Sequence, residues 1–518
     1  MKKVKDSFWQ NTWFWASFIF ILAAAFRLTN LSLIEFKADE ALAMLSAASF
    51  YQKPFIASNS GVSSIGILYP PLSYFIITIL SLFSSSPVFV SFLIALINSA
   101  LVVLFYLLLR KYYGKLVAIV ASVWMASSPW SILFSRKIWN PDLVLILVLP
   151  ILYFLLQILK KPNKKAYLWL FLCLALLTQL HFSGLYLLLI IGGIFFYYKV
   201  KPGYQQAGLG FALGIIPALP LFFYNINSQP FCRDCLAFGE YLKLPKQFQL
   251  ANLIRPWQFA TGLNFTDVLG QDYQLFLQQY PVVAYISGIF LLSFILALLG
   301  AYLLYKDKKQ HWLLLIVGLV PVLYFILRLP AYMYYFVILS PFIYLFLALT
   351  FKNILQFNKS KLWQSFIIFI FITIQIANML FAYSFFSFVK AKQVIAGDYG
   401  PTYVYTKKEL EPQIAQYQSL PFYPQLRAYV YVFKNPQHLH QKLGEYLAQK
   451  RLWEGAENEF AKALETNSSD VAARANLIQI LAMRGKIEES QVQLEVLKAY
   501  DSTVAARLEQ ILLPKYQQ

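Results

Sequence analysis

Long apolar segments separated by short polar loops occupy the chain from Trp13 almost to Val389. A helix needs about 20 mainly apolar residues to cross the roughly 30 Å hydrocarbon core of a bilayer, and these segments are of that order. The pattern predicts eleven spans, at residues 9–29, 87–109, 116–134, 142–159, 166–182, 184–198, 206–224, 281–305, 311–329, 331–351 and 362–388. We therefore expect an all-α, multi-pass integral membrane protein.

The composition agrees with a membrane setting and excludes an ordinary soluble enzyme. The chain is 59% hydrophobic and 18% aromatic, and only 13% of it is charged, against about a quarter in soluble domains. Its three cysteines are too few for a disulfide scaffold. Cys232 and Cys235 form a lone C-x-x-C pair, which predicts a local disulfide or two plain thiols, because a zinc site needs about four ligands.

The sidedness of the loops depends on whether the apolar segment 69–83 crosses the membrane. If it does not cross, the basic loops share the side of the basic N-terminus, as the positive-inside rule requires. Those loops contain Arg110, Lys111 and Lys115; Lys160, Lys161, Lys164 and Lys165; Lys199 and Lys201; Lys306, Lys308 and Lys309; and Lys352, Lys359 and Lys361. We therefore predict an interfacial helix that begins at Pro70-Pro71; an ordinary short span is the alternative.

This topology places the N-terminus in the cytoplasm and three segments on the outer face of the cell membrane. They are the loop at 31–86, the loop at 225–280 and the tail after Val389. The net charge of +20 then follows from cytoplasmic loops that face anionic membrane lipids, and nucleic-acid binding is not predicted.

The tail is predicted to be separate from a membrane domain at 1–389, because the sequence becomes charged and amphipathic after Lys390. Residues 390–437 form a linker or small α/β segment, with short alternating stretches at 402–406 and 428–433 that predict strands. In 438–518 the sequence repeats with a period of 34 residues, so that Leu443 corresponds to Leu477 and Phe460 corresponds to Leu494. This period resembles tetratricopeptide helical hairpins and suggests a small domain that binds a protein partner.

The acidic pair Asp39-Glu40 follows the first span and is the leading candidate for chemistry. Neighbouring helical residues point about 100° apart, so only one carboxylate is expected to face a reacting centre. The alternative is that the pair stabilises the first turn of an interfacial helix at 38–50.

Further candidates lie at predicted outer helix ends. Arg136 and Asp142 lie in the sequence SRKIWNPD. An arginine there can bind a phosphate bidentately, whereas Asp142 could orient Arg136, bind a sugar or begin the next helix. His181 could donate to a phosphate or a sugar, or be an interfacial residue with satisfied hydrogen bonds. Arg328 either binds an anion or extends its charge toward the interface, since a charge at the bilayer centre costs about 2.5–3.5 kcal/mol.

The order of these motifs resembles the GT-C superfamily of membrane glycosyltransferases, and family 39 in particular, which includes protein O-mannosyltransferases and aminoarabinose transferases. The motifs are LIEFKADEALA at 33–43, Tyr69-Pro70-Pro71-Leu72, Ser128-Pro129, Ser135-Arg136 with Asp142, and HFSG at 181–184. The likeness covers roughly 13–388. Tyr69 stands where relatives often have histidine or lysine, and the phenol can hydrogen-bond but carries no charge.

The resemblance implies transfer of a sugar from a polyprenyl-phosphate donor to a protein, lipid or polysaccharide acceptor on the outer face, by an inverting single displacement. Asp39 would be the base and Glu40 its support, and Tyr69, Arg136, Asp142 and His181 would bind substrate. Arg328 lies outside these motifs, and its charge at an outer helix end favours contact with the donor phosphate. No metal ligand is identified, and the need for a divalent cation stays open. Two alternatives stay open. A transporter or lipid flippase would have charged residues near the bilayer midplane. A membrane-anchored scaffold would have an inert membrane part.

Overall fold

The computed structural model describes residues 11–63, 66–201, 203–243, 247–329, 331–432 and 436–516. The basic residues Lys2, Lys3 and Lys5, the start of the predicted span 9–29, and Phe433 of a predicted strand are outside these ranges. Within them the regular structure is helical, and the only extended pairings are isolated bridges. The prediction of an all-α membrane protein is therefore confirmed.

The chain divides into two units, which we call the membrane unit, Met1–Phe36 with Lys53–Tyr405, and the tail unit, Lys37–Gln52 with Thr406–Gln518. The helix in the first loop is thus grouped with the C-terminal residues. This division differs from the predicted boundary at 389, which took the acidic loop as part of the membrane domain.

The helices are numbered in chain order. The first ten are α1 Thr12–Arg27, α2 Ala38–Gln52, α3 Leu72–Ser81, α4 Pro87–Tyr113, α5 Lys115–Ser127, α6 Pro129–Leu133, α7 Leu145–Lys160, α8 Lys164–Leu180, α9 Ser183–Tyr197 and α10 Tyr204–Ile215. The next nine are α11 Leu219–Asn227, α12 Arg233–Lys243, α13 Ala251–Gln258, α14 Thr266–Leu269, α15 Tyr273–Gln279, α16 Pro281–Tyr305, α17 His311–Ile326, α18 Ser340–Phe357 and α19 Lys361–Lys392. The last seven are α20 Tyr403–Ile414, α21 Tyr423–Val432, α22 Pro436–Gln449, α23 Trp453–Thr466, α24 Val471–Met483, α25 Ile487–Tyr500 and α26 Ser502–Tyr516.

Six helical segments of the described chain are long and apolar enough to cross a membrane. They are Pro87–Tyr113, Tyr204–Asn227, Pro281–Tyr305, Lys308–Ile326, Met333–Phe357 and Lys361–Lys392. Other predicted spans are shorter helices, such as Thr12–Arg27 and Leu145–Lys160, or are interrupted, as at Ser128, which separates α5 from α6. The count of eleven spans stays a prediction.

Helix α3 has ten residues and begins directly after Pro71. At 1.5 Å per residue it is about 15 Å long, or half the apolar thickness of a bilayer. It ends at Ser81, and Ser86 precedes the next helix at Pro87. This length fits the predicted interfacial helix, although its place in a membrane stays a prediction.

Helices Tyr403–Ile414 and Tyr423–Val432 stand where two strands were predicted. The prediction of strands at 402–406 and 428–433 is therefore wrong for the residues of these stretches that lie in the two helices. The buried residues Thr406, Leu410 and Ile414 recur every four positions, which is a helical period that continues past the short alternating stretch. In α21, Leu426 and Val430 have the same spacing. Helix α21 packs against α2 in this unit.

Each helix from α22 to α26 packs against the next one along the chain. The end of this array has its own apolar core, to which Ile478, Leu494, Leu497 and Leu508 contribute. The helical part of the tail prediction agrees with these elements. Its assignment to the tetratricopeptide class stays a prediction.

Candidate active site

The loop 135–142 between α6 and α7 is organised by the buried carboxylate of Asp142. Its Oδ1 accepts hydrogen bonds from the backbone N–H groups of Arg136, at 2.9 Å, and Lys137, at 2.8 Å. The Asp142 carbonyl also accepts from Asn98 Nδ2 at 2.9 Å. Asp142 therefore holds the backbone of the two basic residues, and it lies in a short 3₁₀ helix, Asn140–Leu143.

Arg136 is directed at the C-terminal end of α1. Its guanidinium donates to the carbonyls of Phe26 at 2.9 Å, Thr29 at 2.7 Å and Asn30 at 2.8 Å, and its Cζ is 4.5 Å from the ring centroid of Phe386. A cation is stabilised at this end of a helix because the last carbonyls are unpaired there. Burial lowers the pKa of Arg136 to about 10, so the group stays charged near neutral pH. These contacts give Arg136 a role in positioning the loop.

Lys137 and Glu35 form a buried ion pair that the sequence analysis missed. Each side chain is only 7% exposed. Lys137 Nζ also lies 5.1 Å from the ring centroid of Trp139. Both residues belong to motifs in which other residues were the candidates. Glu35 lies in LIEFKADEALA with Asp39 and Glu40, and Lys137 lies in SRKIWNPD with Arg136 and Asp142. Their opposite charges were the available signal, but 102 residues separate them in the chain.

His181 is buried at the C-terminal end of α8. Its Nδ1 accepts a hydrogen bond from the backbone N–H of Ser183 at 3.2 Å, whereas Nε2 has no hydrogen-bond partner among the described residues. The imidazole meets the rings of Tyr334 and Tyr335 edge-on, at centroid distances of 6.1 and 5.4 Å. A buried, unpartnered ring nitrogen can donate to or accept from a polar ligand.

An aromatic cluster, which we define as Tyr69, Trp139, Phe182, Tyr334 and Tyr335, lies beside His181, whose ring contacts Tyr334 and Tyr335. The Tyr69 ring stacks on Phe182 at 4.5 Å, with an interplanar angle of 15°. The ring centroid of Tyr334 lies 4.8 Å from that of Trp139 and 4.6 Å from that of Tyr335. Aromatic faces of this kind present apolar surface with a polar rim. The predicted residue Tyr69 therefore stacks on the chain neighbour of His181, the second predicted residue here.

Arg328 differs from the other cations because it is exposed. It follows α17 with a φ of 53°, and its Cζ lies 4.1 Å from the ring centroid of Phe248. A second cation that was not predicted lies nearby, since the Arg255 guanidinium donates to the carbonyl of Ala331. Arg255 Nη2 is also 3.7 Å from Asp267 Oδ2.

The two carboxylates of the acidic pair have different environments in the first turn of α2. Asp39 is exposed, whereas Glu40 is buried and its Oε2 accepts from the backbone N–H of Lys37 at 2.8 Å. A glutamate at this position satisfies an amide that the helix leaves unpaired. Glu40 thus fits the alternative helix-capping interpretation. Asp39 is the member of the pair that solvent reaches.

Across the described ranges, no group of three or more histidine, cysteine, aspartate or glutamate residues is arranged to hold a metal ion. Cys232 and Cys235 form a disulfide, one of the two forms that the sequence predicted. The requirement for a divalent cation is neither supported nor excluded.

Comparison with known families identifies residues 69–222 as similar to the dolichyl-phosphate-mannose-protein mannosyltransferase family. This stretch includes Tyr69, Arg136, Asp142 and His181. The match and the all-helical membrane fold confirm the resemblance to GT-C membrane glycosyltransferases. None of the curated proteins matches the chain by sequence.

Among solved structures, the fold is similar to that of the oligosaccharyltransferase of Archaeoglobus fulgidus tethered with an acceptor peptide. The TM-score is 0.51 at 12% identity, over 82% of this chain and 59% of that chain. ArnT from Cupriavidus metallidurans in its apo state aligns with a TM-score of 0.49 at 10% identity, over 78% of this chain and 80% of that chain. The chain thus spans little more than half the length of the oligosaccharyltransferase.

Proposed function

We propose that the protein transfers a sugar from a polyprenyl-phosphate donor to an acceptor on the outer face of the cell membrane. The match of residues 69–222 to the mannosyltransferase family carries this proposal, because it includes four of the substrate-binding candidates. The geometry at His181 adds support, since an unpartnered buried nitrogen beside aromatic rings suits a ligand with both hydroxyl groups and apolar faces.

In the proposed reaction, the Asp39 carboxylate takes the proton of the acceptor hydroxyl. The acceptor oxygen attacks the anomeric carbon while the bond from that carbon to the phosphate oxygen breaks, so the configuration inverts and polyprenyl phosphate leaves. His181 and Tyr69 contact the donor, and Arg328 contributes positive charge for its phosphate. Arg136 and Asp142 act less directly, because their side chains already bind backbone groups that shape the loop.

The test uses purified full-length protein, a radiolabelled polyprenyl-phosphate sugar and extracted cell-envelope acceptors. Asp39→Asn should reduce transfer at least a hundredfold, as expected for loss of a general base, with unchanged thermal unfolding because Asp39 is exposed. Glu40→Gln is the matched control, since its amide oxygen can still accept from Lys37 N–H. Asp39→Asn with full activity would contradict the assignment of the base, and absence of transfer by a folded parent that binds donor would contradict the enzyme proposal.

A further inference from the structure

The disulfide-closed turn at 232–235 makes contacts that the proposed function does not use. Cys232 and Cys235 are joined covalently, and the backbone N–H of Cys235 donates to the Cys232 carbonyl at 2.9 Å. The turn is also attached to the end of α11, because Cys232 N–H donates to the carbonyl of Asn225 at 2.9 Å. Its geometry is thus fixed by one covalent and two hydrogen bonds.

Asp234, inside this turn, links it to the segment that precedes Tyr69. Its Oδ1 accepts from the backbone N–H of Leu68 at 3.2 Å, and its Oδ2 accepts from Asn225 Nδ2 at 2.8 Å. The Asp234 N–H donates in return to Asn225 Oδ1 at 3.2 Å. The carboxylate therefore bridges two donors that are far apart in the sequence.

The segment that receives this contact, residues 66–69, pairs with residues 60–63. Ser60 N–H donates to the Tyr69 carbonyl and Tyr69 N–H donates to the Gly61 carbonyl, both at 2.9 Å, and Ser60 Oγ donates to the Pro70 carbonyl at 2.8 Å. The N–H of Leu68 is the amide immediately before the buried Tyr69, whose ring stacks on Phe182 next to His181. Displacement of the Leu68 backbone therefore moves a ring of the candidate site.

We propose that Asp234, held in the disulfide-closed turn, is a positioning residue that fixes Tyr69 for binding of the polyprenyl-phosphate donor. This inference rests on the proposed function and assigns a role to the C-x-x-C turn within it. Asp234 acts through the Leu68 backbone and touches neither substrate nor reacting atoms.

The contact suggests a charge-swap experiment. The donors Leu68 N–H and Asn225 Nδ2 meet different oxygens of Asp234. Asp234→Asn replaces one of these oxygens by an NH₂ group, so one of the two hydrogen bonds is lost. Asn225→Asp places a second carboxylate against Asp234. The double variant Asn225→Asp with Asp234→Asn restores the contact to Leu68, because the new amide NH₂ can donate to the new carboxylate while the amide oxygen accepts from Leu68 N–H. It gives up only the 3.3 Å hydrogen bond that Asn225 Nδ2 donates to the Leu221 carbonyl within α11. Glu240→Gln is the control, since Glu240 is an exposed residue of the same helix, α12.

Two measurements are made on full-length protein in detergent. Hydrogen exchange of the peptide that contains Leu68 and Tyr69 should quicken in Asp234→Asn and return to the parent rate in the double variant. The KM for donor should rise roughly tenfold in Asp234→Asn, the effect of losing one hydrogen bond to a charged group, with kcat within about twofold. The double variant should recover the parent KM, and Glu240→Gln should behave as the parent.

The outcomes separate this inference from the proposed function. Faster exchange at Leu68 with an unchanged donor KM, or a raised KM that the swap does not rescue, would overturn the positioning role. Absence of transfer by the folded parent would count against the proposed function instead. In that case, the affinity for unlabelled polyprenyl phosphate is measured instead of KM. Weaker binding by Asp234→Asn that the double variant restores would still support the positioning role. Equal binding by Asp234→Asn and the parent would overturn it.

Discussion

Charged side chains in the loop 135–142 are buried, and each has a specific partner. The Asp142 carboxylate accepts two backbone N–H groups, the Arg136 guanidinium donates to three carbonyls, and Lys137 pairs with Glu35. Burial of a charge without such a partner would cost several kcal/mol. These residues therefore stabilise one loop conformation beside the aromatic cluster.

The buried ion pair gives a prediction about stability. Lys137→Met removes the positive charge that pairs with the buried Glu35 carboxylate, so we expect about 3–5 kcal/mol of destabilisation. The double variant Lys137→Met with Glu35→Met removes both charges and should be closer to the parent. Thermal unfolding in detergent measures the order of the three proteins. A double variant less stable than Lys137→Met would contradict the pairing.

At the scale of elements, helices α8 and α10 approach closely because α10 has glycines on the facing side. A Cβ atom on Gly210 would lie 2.1 Å from the Leu168 carbonyl oxygen, and one on Gly214 would lie 2.7 Å from the Leu172 carbonyl oxygen. The four-residue spacing of Gly210 and Gly214 places both on one face, as in the small-residue contacts of membrane helices. Gln179 Nε2 also donates to the Gly214 carbonyl.

Substitution of these glycines should separate the two helices. Gly210→Ala is expected to destabilise the protein by about 1–3 kcal/mol, because its methyl group overlaps a backbone oxygen that cannot rotate away. Gly208→Ala on the same helix has open space around its Cβ and should be neutral or stabilising by up to about 1 kcal/mol. Thermal unfolding of both variants tests the packing. Equal melting temperatures for Gly210→Ala and Gly208→Ala would contradict the close packing of α10 against α8.

In the tail unit, Glu459 on α23 connects several elements. Its fully buried carboxylate accepts from Tyr417 at 2.9 Å, Gln416 at 3.0 Å and Lys462 at 3.0 Å, and His440 Nδ1 is 2.6 Å away. Burial alone would raise the pKa of Glu459, but the hydrogen bonds and the nearby Lys462 charge outweigh it, so the pKa lies below its ordinary value of 4.5.

This lowered pKa predicts a loss of stability in acid. The contribution of Glu459 is present above the ordinary pKa of 4.5 and disappears as the pH falls through the lower folded value. Glu459→Gln should therefore be less stable than the parent by roughly 1.5–3 kcal/mol at neutral pH, and this difference should narrow as the pH falls below 4.5. Circular-dichroism melts measure this narrowing. Glu465→Gln is the control, because Glu465 is an exposed residue of the same helix. A stability difference between Glu459→Gln and the parent that did not depend on pH would contradict the prediction.

Elements were predictable from the sequence where one periodic pattern dominated, as in the apolar helices and in 438–516. The alternating stretch 402–406 misled because its five residues are too few to distinguish a strand from the start of α20, whose buried period emerges only through Leu410 and Ile414. Within the site, Tyr69 and His181 were predicted because they lie in motifs. The pairing of Lys137 with Glu35 could not be predicted, since it depends on tertiary contact between distant segments.

At the scale of the whole molecule, cysteine chemistry provides a test of topology. Cys232 and Cys235 are bonded to each other and Cys173 is buried, so a new surface thiol would be the accessible one. Ser84 lies between α3 and α4, in the loop predicted to face outward, and Lys359 is exposed between α18 and α19, in a loop predicted to be cytoplasmic.

Ser84→Cys should react with a membrane-impermeant maleimide added to intact cells, whereas Lys359→Cys should react only after the membrane is opened. The reason is that the basic loops favour the cytoplasmic side, while the ten residues of α3 give a helix too short to cross and reverse the topology. The parent protein controls for the native cysteines. If Lys359→Cys were labelled in intact cells and Ser84→Cys were not, the topology would be inverted, and Asp39 would face the cytoplasm rather than an acceptor outside.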